Sequence, residues 1–156
     1  VRSRGLGDVY KRQGLYDAIL LSYAGIKSLA IEDEISEVFS TKEIIPSAGQ
    51  GIIALQSRNN DSEIISLLDK INDTKTFYKA HAERNVLKTL EGDCETAVGV
   101  HSIIKDDEII LEAELFSLDG SQTYYEKKSS KIEKAKDLGI EVGLILKLKS
   151  NNSYKK

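Results

Sequence analysis

The chain has 156 residues, 40% hydrophobic and 30% charged, with a formal charge of -3, a composition that suits a folded protein of one or two domains and excludes wholesale disorder. No apolar run approaches the roughly 20 residues needed to cross a bilayer, and the acidic balance argues against nucleic acid as the main partner. A lone cysteine, Cys94, excludes an intramolecular disulfide, and a free thiol suits a reducing cytosol, so the expected location is cytoplasmic.

Methionine is absent, an initiator included, so the sequence reads as a fragment. Residues 1–13 have no amphipathic period and resemble an adaptor-derived, non-native tract, which leaves 14–156 for functional reading. Residues 17–23 form a continuous apolar run that predicts a strand buried on both faces of a parallel sheet. Ala24-Gly25 opens a short helix through Leu29, and Ile31, Ile35, Val38 and Phe39 mark amphipathic turns. These segments, 14–45, read as the end of one domain. The only proline and two glycines gather in Pro46-Ser47-Ala48-Gly49-Gln50-Gly51, a crossing segment with unusual backbone demands. Residues 46–72 then read as a crossover and return: a strand at 52–57 and a helix capped by Asn60 or Asp61.

From residue 73 the pattern is self-sufficient. Asp73 or Thr74 caps a helix running to Glu91, with Ala82, Val86 and Leu90 on one stripe and Phe77, Ala80, Arg84 and Leu87 on another, and Gly92 is the expected stop. Three strand-like runs follow at 97–104, 108–116 and 121–128, joined by Lys105-Asp106-Asp107 and by the hairpin signal Asp119-Gly120. A last helix over about 130–147 turns Ile132, Ala135, Leu138, Val142 and Ile145 inward, and 149–156 is expected to be a flexible tail. Residues 73–148 therefore predict an α+β domain, with a three-stranded antiparallel sheet and helices on one face.

Three motifs occur in order: Tyr16-Asp17-Ala18-Ile19-Leu20-Leu21 with Ala24-Gly25-Ile26-Lys27, then Pro46 to Gly51, then Ala82-Glu83-Arg84 followed by Leu90-Glu91-Gly92-Asp93-Cys94. Together they resemble the C-terminal half of the porphobilinogen deaminase (hydroxymethylbilane synthase) family. The resemblance implies a transferase that joins four porphobilinogen molecules, releasing ammonia at each step, to give the linear tetrapyrrole hydroxymethylbilane for haem and other porphyrin biosynthesis. It implies α/β domains around a cleft, of which 14–72 would be the remnant of a periplasmic-binding-protein-like two-domain α/β clamp and 73–148 the cofactor-attachment domain.

The resemblance makes Cys94 the thioether attachment point of a dipyrromethane cofactor, whose electrophilic carbon meets the sulfur nucleophile. Glu91, Asp93 and Glu95 and the negative end of the preceding helix would raise the thiol pKa rather than lower it, so the loop supplies position and the electrophile supplies reactivity. Gln50 and Gly51 match cleft-wall positions that bond pyrrole carboxylates, and Leu21 and Ser22 match positions whose backbone faces the cofactor. Two positions depart from the family pattern: Asp93 stands where glycine is usual, and Ser28 where an arginine is usual, with Lys27 a point-charge substitute for its fork. Arg84 is expected to brace domains through a buried ion pair, and Arg58 to brace or bind. The catalytic aspartate of the family has no counterpart here, so the fragment is expected to be inactive and its parent a monomer. Three rival readings are a zinc site of Cys94 with His81 and His101, a non-catalytic solute-binding clamp, and an interaction domain made of 73–148 alone.

Overall fold

A computed structural model describes residues 14, 17–92 and 96–155, which fall into two units dividing between Val38 and Phe39. Among these residues the α-helices are Tyr23–Ser28 (α1), Ser62–Ile71 (α2), Thr74–Leu90 (α3) and Ala135–Ser150 (α4). Three strands, Val98–Lys105 (β1), Glu108–Phe116 (β2) and Thr123–Lys131 (β3), form one antiparallel meander. The predicted α+β class with its three-stranded sheet is therefore what the second unit contains.

Period-two alternation makes the sheet one-sided. In β2, Ile109, Leu111, Ala113 and Leu115 are fully buried while the residues between them are not, as befits a strand covered on one face. Register carries that face across to Val100 and Ser102 of β1, which pair with Ala113 and Leu111. The hairpin signals hold. Asp106 takes φ 55° and Gly120 φ 70°, and the Asp119 carboxylate accepts from Ser117 Oγ at 2.6 Å and from the Ser121 amide at 3.0 Å.

Helices α3 and α4 cover the buried face. The Asp73 carboxylate accepts the Thr76 amide at 2.7 Å, closing the first turn of α3, and Ala82, Val86 and Leu90 form its buried stripe. A 3-10 turn at Ile132–Lys134 leads into α4, which buries Ala135, Leu138, Val142 and Leu146. Leu146 occupies the inward position expected for Ile145, because the stripe advances by four residues from Val142. The helices meet closely at Gly139, where a Cβ would collide with the Ala82 carbonyl. Leu90, Ile109, Leu111, Leu115 and Leu146 are all fully buried, at about 1.5–3 kcal/mol each.

Three expectations fail. Residues 18–22 form no ladder and α1 begins at Tyr23; Leu20 and Leu21 are 64% and 56% exposed. A strand apolar on both faces needs neighbours, and no described strand pairs with it. Residues 52–57 are also unpaired, with Ile53 88% exposed, for the same reason. The tail is not frayed: α4 continues to Ser150, Asn151 and Asn152 turn the chain in left-handed conformations, and Tyr154 returns to the core at 2% exposure.

Candidate functional site

The crossing segment lies along the outer edge of β1. The Val100 amide donates to the Pro46 carbonyl at 2.7 Å, and Gly99 permits the approach, since a Cβ there would collide with the Ile45 carbonyl. Ala48 packs against the core. Glu83, only 4% exposed, closes the seam. Its Oε2 accepts the Gly49 amide at 2.8 Å, and its Oε1 accepts the Ser102 amide at 2.9 Å and the Ser102 hydroxyl at 2.7 Å. Three donors replace the water that burial removes.

Beyond the seam the chain folds into a tight turn. The Gln50 amide donates to Ser47 O and the Ile52 amide to Gly49 O, both at 3.0 Å. Gly49 and Gly51 take φ 78° and 79°, a region L side chains avoid, so the backbone demands these glycines whether or not a ligand binds. Gln50 is exposed, and the Gly51 N–H has no partner among the described residues.

The expected buried ion pair of Arg84 is absent. Arg84 is exposed and pairs with no carboxylate among the described residues, whereas its neighbour Glu83 is the buried charge. The reason is helical phase: 83 lies three residues before Val86 and seven before Leu90, on the core stripe, and 84 turns away. That spacing was the signal available in the sequence.

At the far end of α3 the stop is made by Glu91, not Gly92. Glu91 sits at φ 54°, ψ 34°, with its amide bonded to Lys88 O, and the Gly92 amide reaches Leu87 O at 3.0 Å, which is the Schellman closure. A glycine is usual at the left-handed position, and here a glutamate occupies it. Its carboxylate bonds Lys155 and, at 3.1 Å, Lys147, and these two hydrogen bonds hold the Glu91 carboxyl down at about 2. A Cβ on Gly92 would lie 3.3 Å from the Thr96 side chain, so residues 92 and 96 are neighbours. Cys94 lies outside the described residues, as do Asp93 and Glu95.

The other expected site residues divide between the units. Leu21, Ser22 and Lys27 belong to the first, where all three are exposed. Ser22 precedes α1 without a side-chain cap and Lys27 lies in its last turn. Ser28, standing where an arginine was expected, donates its hydroxyl to the Ala24 carbonyl at 2.9 Å and so is turned back onto its own helix. Gln50 and Gly51 belong to the second unit. Arg58 lines two open depressions, one with Asn60 to Glu63 and one with Gln56, Ser57 and Asn59. His81 lies against Phe77, ring centroids 4.3 Å apart, and His101 pairs with Glu112 across β1 and β2. The Gln50 side-chain amide and the Gly51 N–H, on one turn of the second unit, are hydrogen-bond donors.

Comparison with known proteins gives the chain its relatives. The model described as porphobilinogen deaminase, C-terminal domain, matches residues 77–147. A second, described as porphobilinogen deaminase, dipyromethane cofactor binding domain, matches residues 6–66, starting inside the tract expected to be non-native. The porphobilinogen deaminase of Desulforamulus reducens is 38% identical over 126 residues, 81% of this chain and 41% of the relative. That of Coxiella burnetii is 38% identical over 129 residues, 83% and 42%, and that of Prochlorococcus marinus 30% over 135 residues, 86% and 43%. The chain thus spans about two fifths of the length of these relatives. Matched over most of its own length by two domains of one family, in order and on either side of the Glu83 seam, the chain belongs to the porphobilinogen deaminase family.

Proposed function

We propose that this chain is the C-terminal part of a hydroxymethylbilane synthase, a cytoplasmic, monomeric transferase that joins four porphobilinogen molecules with loss of ammonia. The observation that carries the reading is the pair of family matches, one of them to a cofactor-binding domain that includes the crossing segment, where Gln50 and Gly51 lie on a turn anchored at Glu83. In this reading Cys94 holds a dipyrromethane primer through a thioether. The primer, when bound, supplies the pyrrole end to which each new unit is joined.

The residues of this chain bind and orient. Gln50, through its amide, and Gly51, through its N–H, donate to acetate and propionate groups of the polypyrrole, each ring of which carries about two negative charges that need donors or cations. Lys27 adds a point charge without the planar fork of an arginine, and Ser28 adds nothing to ligand binding while its hydroxyl is held by Ala24. Leu21 and Ser22 present backbone to the cofactor. The domain arrangement proposed with this function places 14–45 in a second domain, 46–72 in a first and 73–148 in the attachment domain, the first two completing a periplasmic-binding-protein-like clamp. No catalytic aspartate is assigned in this chain, so by itself it is expected to turn over no porphobilinogen.

The test is intact mass of the full-length protein carrying this chain, expressed in cells that make porphobilinogen, beside Cys94→Ser. A mass increase of two pyrrole units that vanishes in the variant supports the reading. An unmodified, folded chain would favour a non-catalytic clamp and reduce Cys94 to a packing residue.

A further inference from the structure

The chain over 47–52 makes two β-turns in succession, 47–50 and 49–52, each closed by one hydrogen bond and each with a left-handed glycine, Gly49 or Gly51, in its third place. The N–H of that third residue belongs to the central peptide of its turn and makes no bond within it. The two turns therefore present equivalent donors, and only one is occupied. The Gly49 N–H is taken by the buried Glu83 carboxylate at 2.8 Å. The Gly51 N–H, beside the exposed Gln50, has no partner among the described residues.

The Glu83 carboxylate is itself aimed from the core. Ser102, fully buried in β1 and paired with Leu111, donates twice to Oε1, through its amide at 2.9 Å and its hydroxyl at 2.7 Å. Two donors on one oxygen fix the plane of the carboxylate, and Oε2 is left facing Gly49. A chain of contacts thus runs from the sheet through Ser102 and Glu83 to the first turn. The second turn shares Gly49 and Gln50 with the first.

We propose that Ser102 and Glu83 are positioning residues that aim the Gly51 N–H and the Gln50 amide at a ligand carboxylate, the same group that Glu83 supplies to the equivalent Gly49 donor. The proposal rests on the reading of Gln50 and Gly51 as donors to pyrrole acetate and propionate groups, and adds how they are aimed. Both positioning residues are buried, so they act through the turn and not on the ligand. With the carboxylate loosened the first turn can tilt, and the donors of the second no longer converge on one anion. Hydrogen bonds weaken steeply with such misalignment.

Propionate is the probe, titrated beside sodium chloride of equal ionic strength, and the Gly51 amide proton of the intact 156-residue chain is followed by NMR. The expected result is a saturable shift with propionate and none with chloride. Ser102→Ala removes only the hydroxyl and should weaken propionate binding about fivefold, the size of one net hydrogen bond; Ser102→Thr keeps the hydroxyl and should restore it to within about twofold. Glu83→Gln disturbs all three donors and should weaken binding about tenfold. It decides by the same affinity if Ser102→Ala fails to fold, no loss overturning the proposal. Ser117→Ala removes another buried serine hydroxyl, after β2, and should change nothing. Equal affinity in parent and Ser102→Ala would overturn the proposal, and so would a loss that Ser102→Thr does not restore. An equal loss in Ser117→Ala, meaning general loosening, or a parent Gly51 that ignores propionate would do the same. The shift involves neither Cys94 nor turnover, so an unprimed Cys94 would sink the transferase reading alone, and an unresponsive Gly51 the positioning alone.

Discussion

Two stretches, 17–71 and 73–155, differ sharply in burial. Every buried apolar residue among those described lies between Ala82 and Tyr154, and none lies before. Yet the earlier stretch does not lack apolar side chains: Leu20, Leu21, Ile53, Leu55, Leu67 and Ile71 are all at least half exposed. What separates the two is partnership. The later stretch contains both layers of its own core, sheet and helices. The earlier one supplies α2 and extended segments that form no ladder among the described residues, and of its apolar residues Ala48 packs against the core. Hydrophobic pattern alone does not make structure; a complementary surface must also be present.

The largest expected effect exploits that contrast. Leu111→Ala, in the middle of β2 at 0% exposure, should cost about 2–5 kcal/mol, whereas Leu67→Ala on α2 should stay within about 0.5 kcal/mol. Urea unfolding followed by circular dichroism measures both. Equal losses would mean that the two stretches share one core.

Next is the seam, where Pro46 and Gly49 are hydrogen-bonded to β1 and α3. Glu83→Gln puts an amide where a carboxylate accepts three donors, and should cost about 2 kcal/mol because buried N–H groups lose their acceptor. It should also speed amide exchange at Gly49 more than at Ile109. Slowed or unchanged exchange at Gly49 would show that the crossing segment is held without Glu83.

The smallest effect is that of acid on the end of α3. Glu91 has its carboxyl lowered from 4.5 to about 2 by hydrogen bonds from Lys155 and Lys147, so the unfolded chain binds the proton more tightly than the folded one. Its stabilisation is present above 4.5 and is lost as pH falls through about 2. Asp119, lowered to about 2 by hydrogen bonds from Ser117 and Ser121, contributes in the same window. Glu91→Gln should therefore flatten part of the fall in urea midpoint over that range, and an identical fall in variant and parent would show that Glu91 contributes nothing.

Much of the second region is legible in its residues, because local signals and tertiary needs agree there. Alternation at 108–116, a cap at Asp73, a turn at Asp119-Gly120 and the Ala82-Val86-Leu90 stripe all point to the elements that form. The illegible features depend on distant partners. Residues 17–23 and 52–57 have the composition of buried strands, but composition cannot supply a neighbouring strand. Glu83 and Arg84 are adjacent charges one helical step apart, and only the phase against Val86 and Leu90 tells which is buried. Tyr154 sits in a run of lysines and asparagines that reads as solvent-exposed, and only its aromatic ring after an Asn-Asn pair hinted that the chain returns. Of the candidate site, the glycine turn at 49–51 was readable from its backbone demands, whereas its anchoring to α3 and β1 was not.

Hydrogen exchange on the intact 156-residue chain, resolved by peptide, tests the contrast between the two regions most directly. Amides in 82–90, 98–105 and 108–116 should exchange slowly and together, as one cooperative core, while those in 17–23 and 52–57 exchange at close to unprotected rates. Slow exchange throughout 17–23 in the monomer would contradict this, showing that the earlier stretch finds partners of its own.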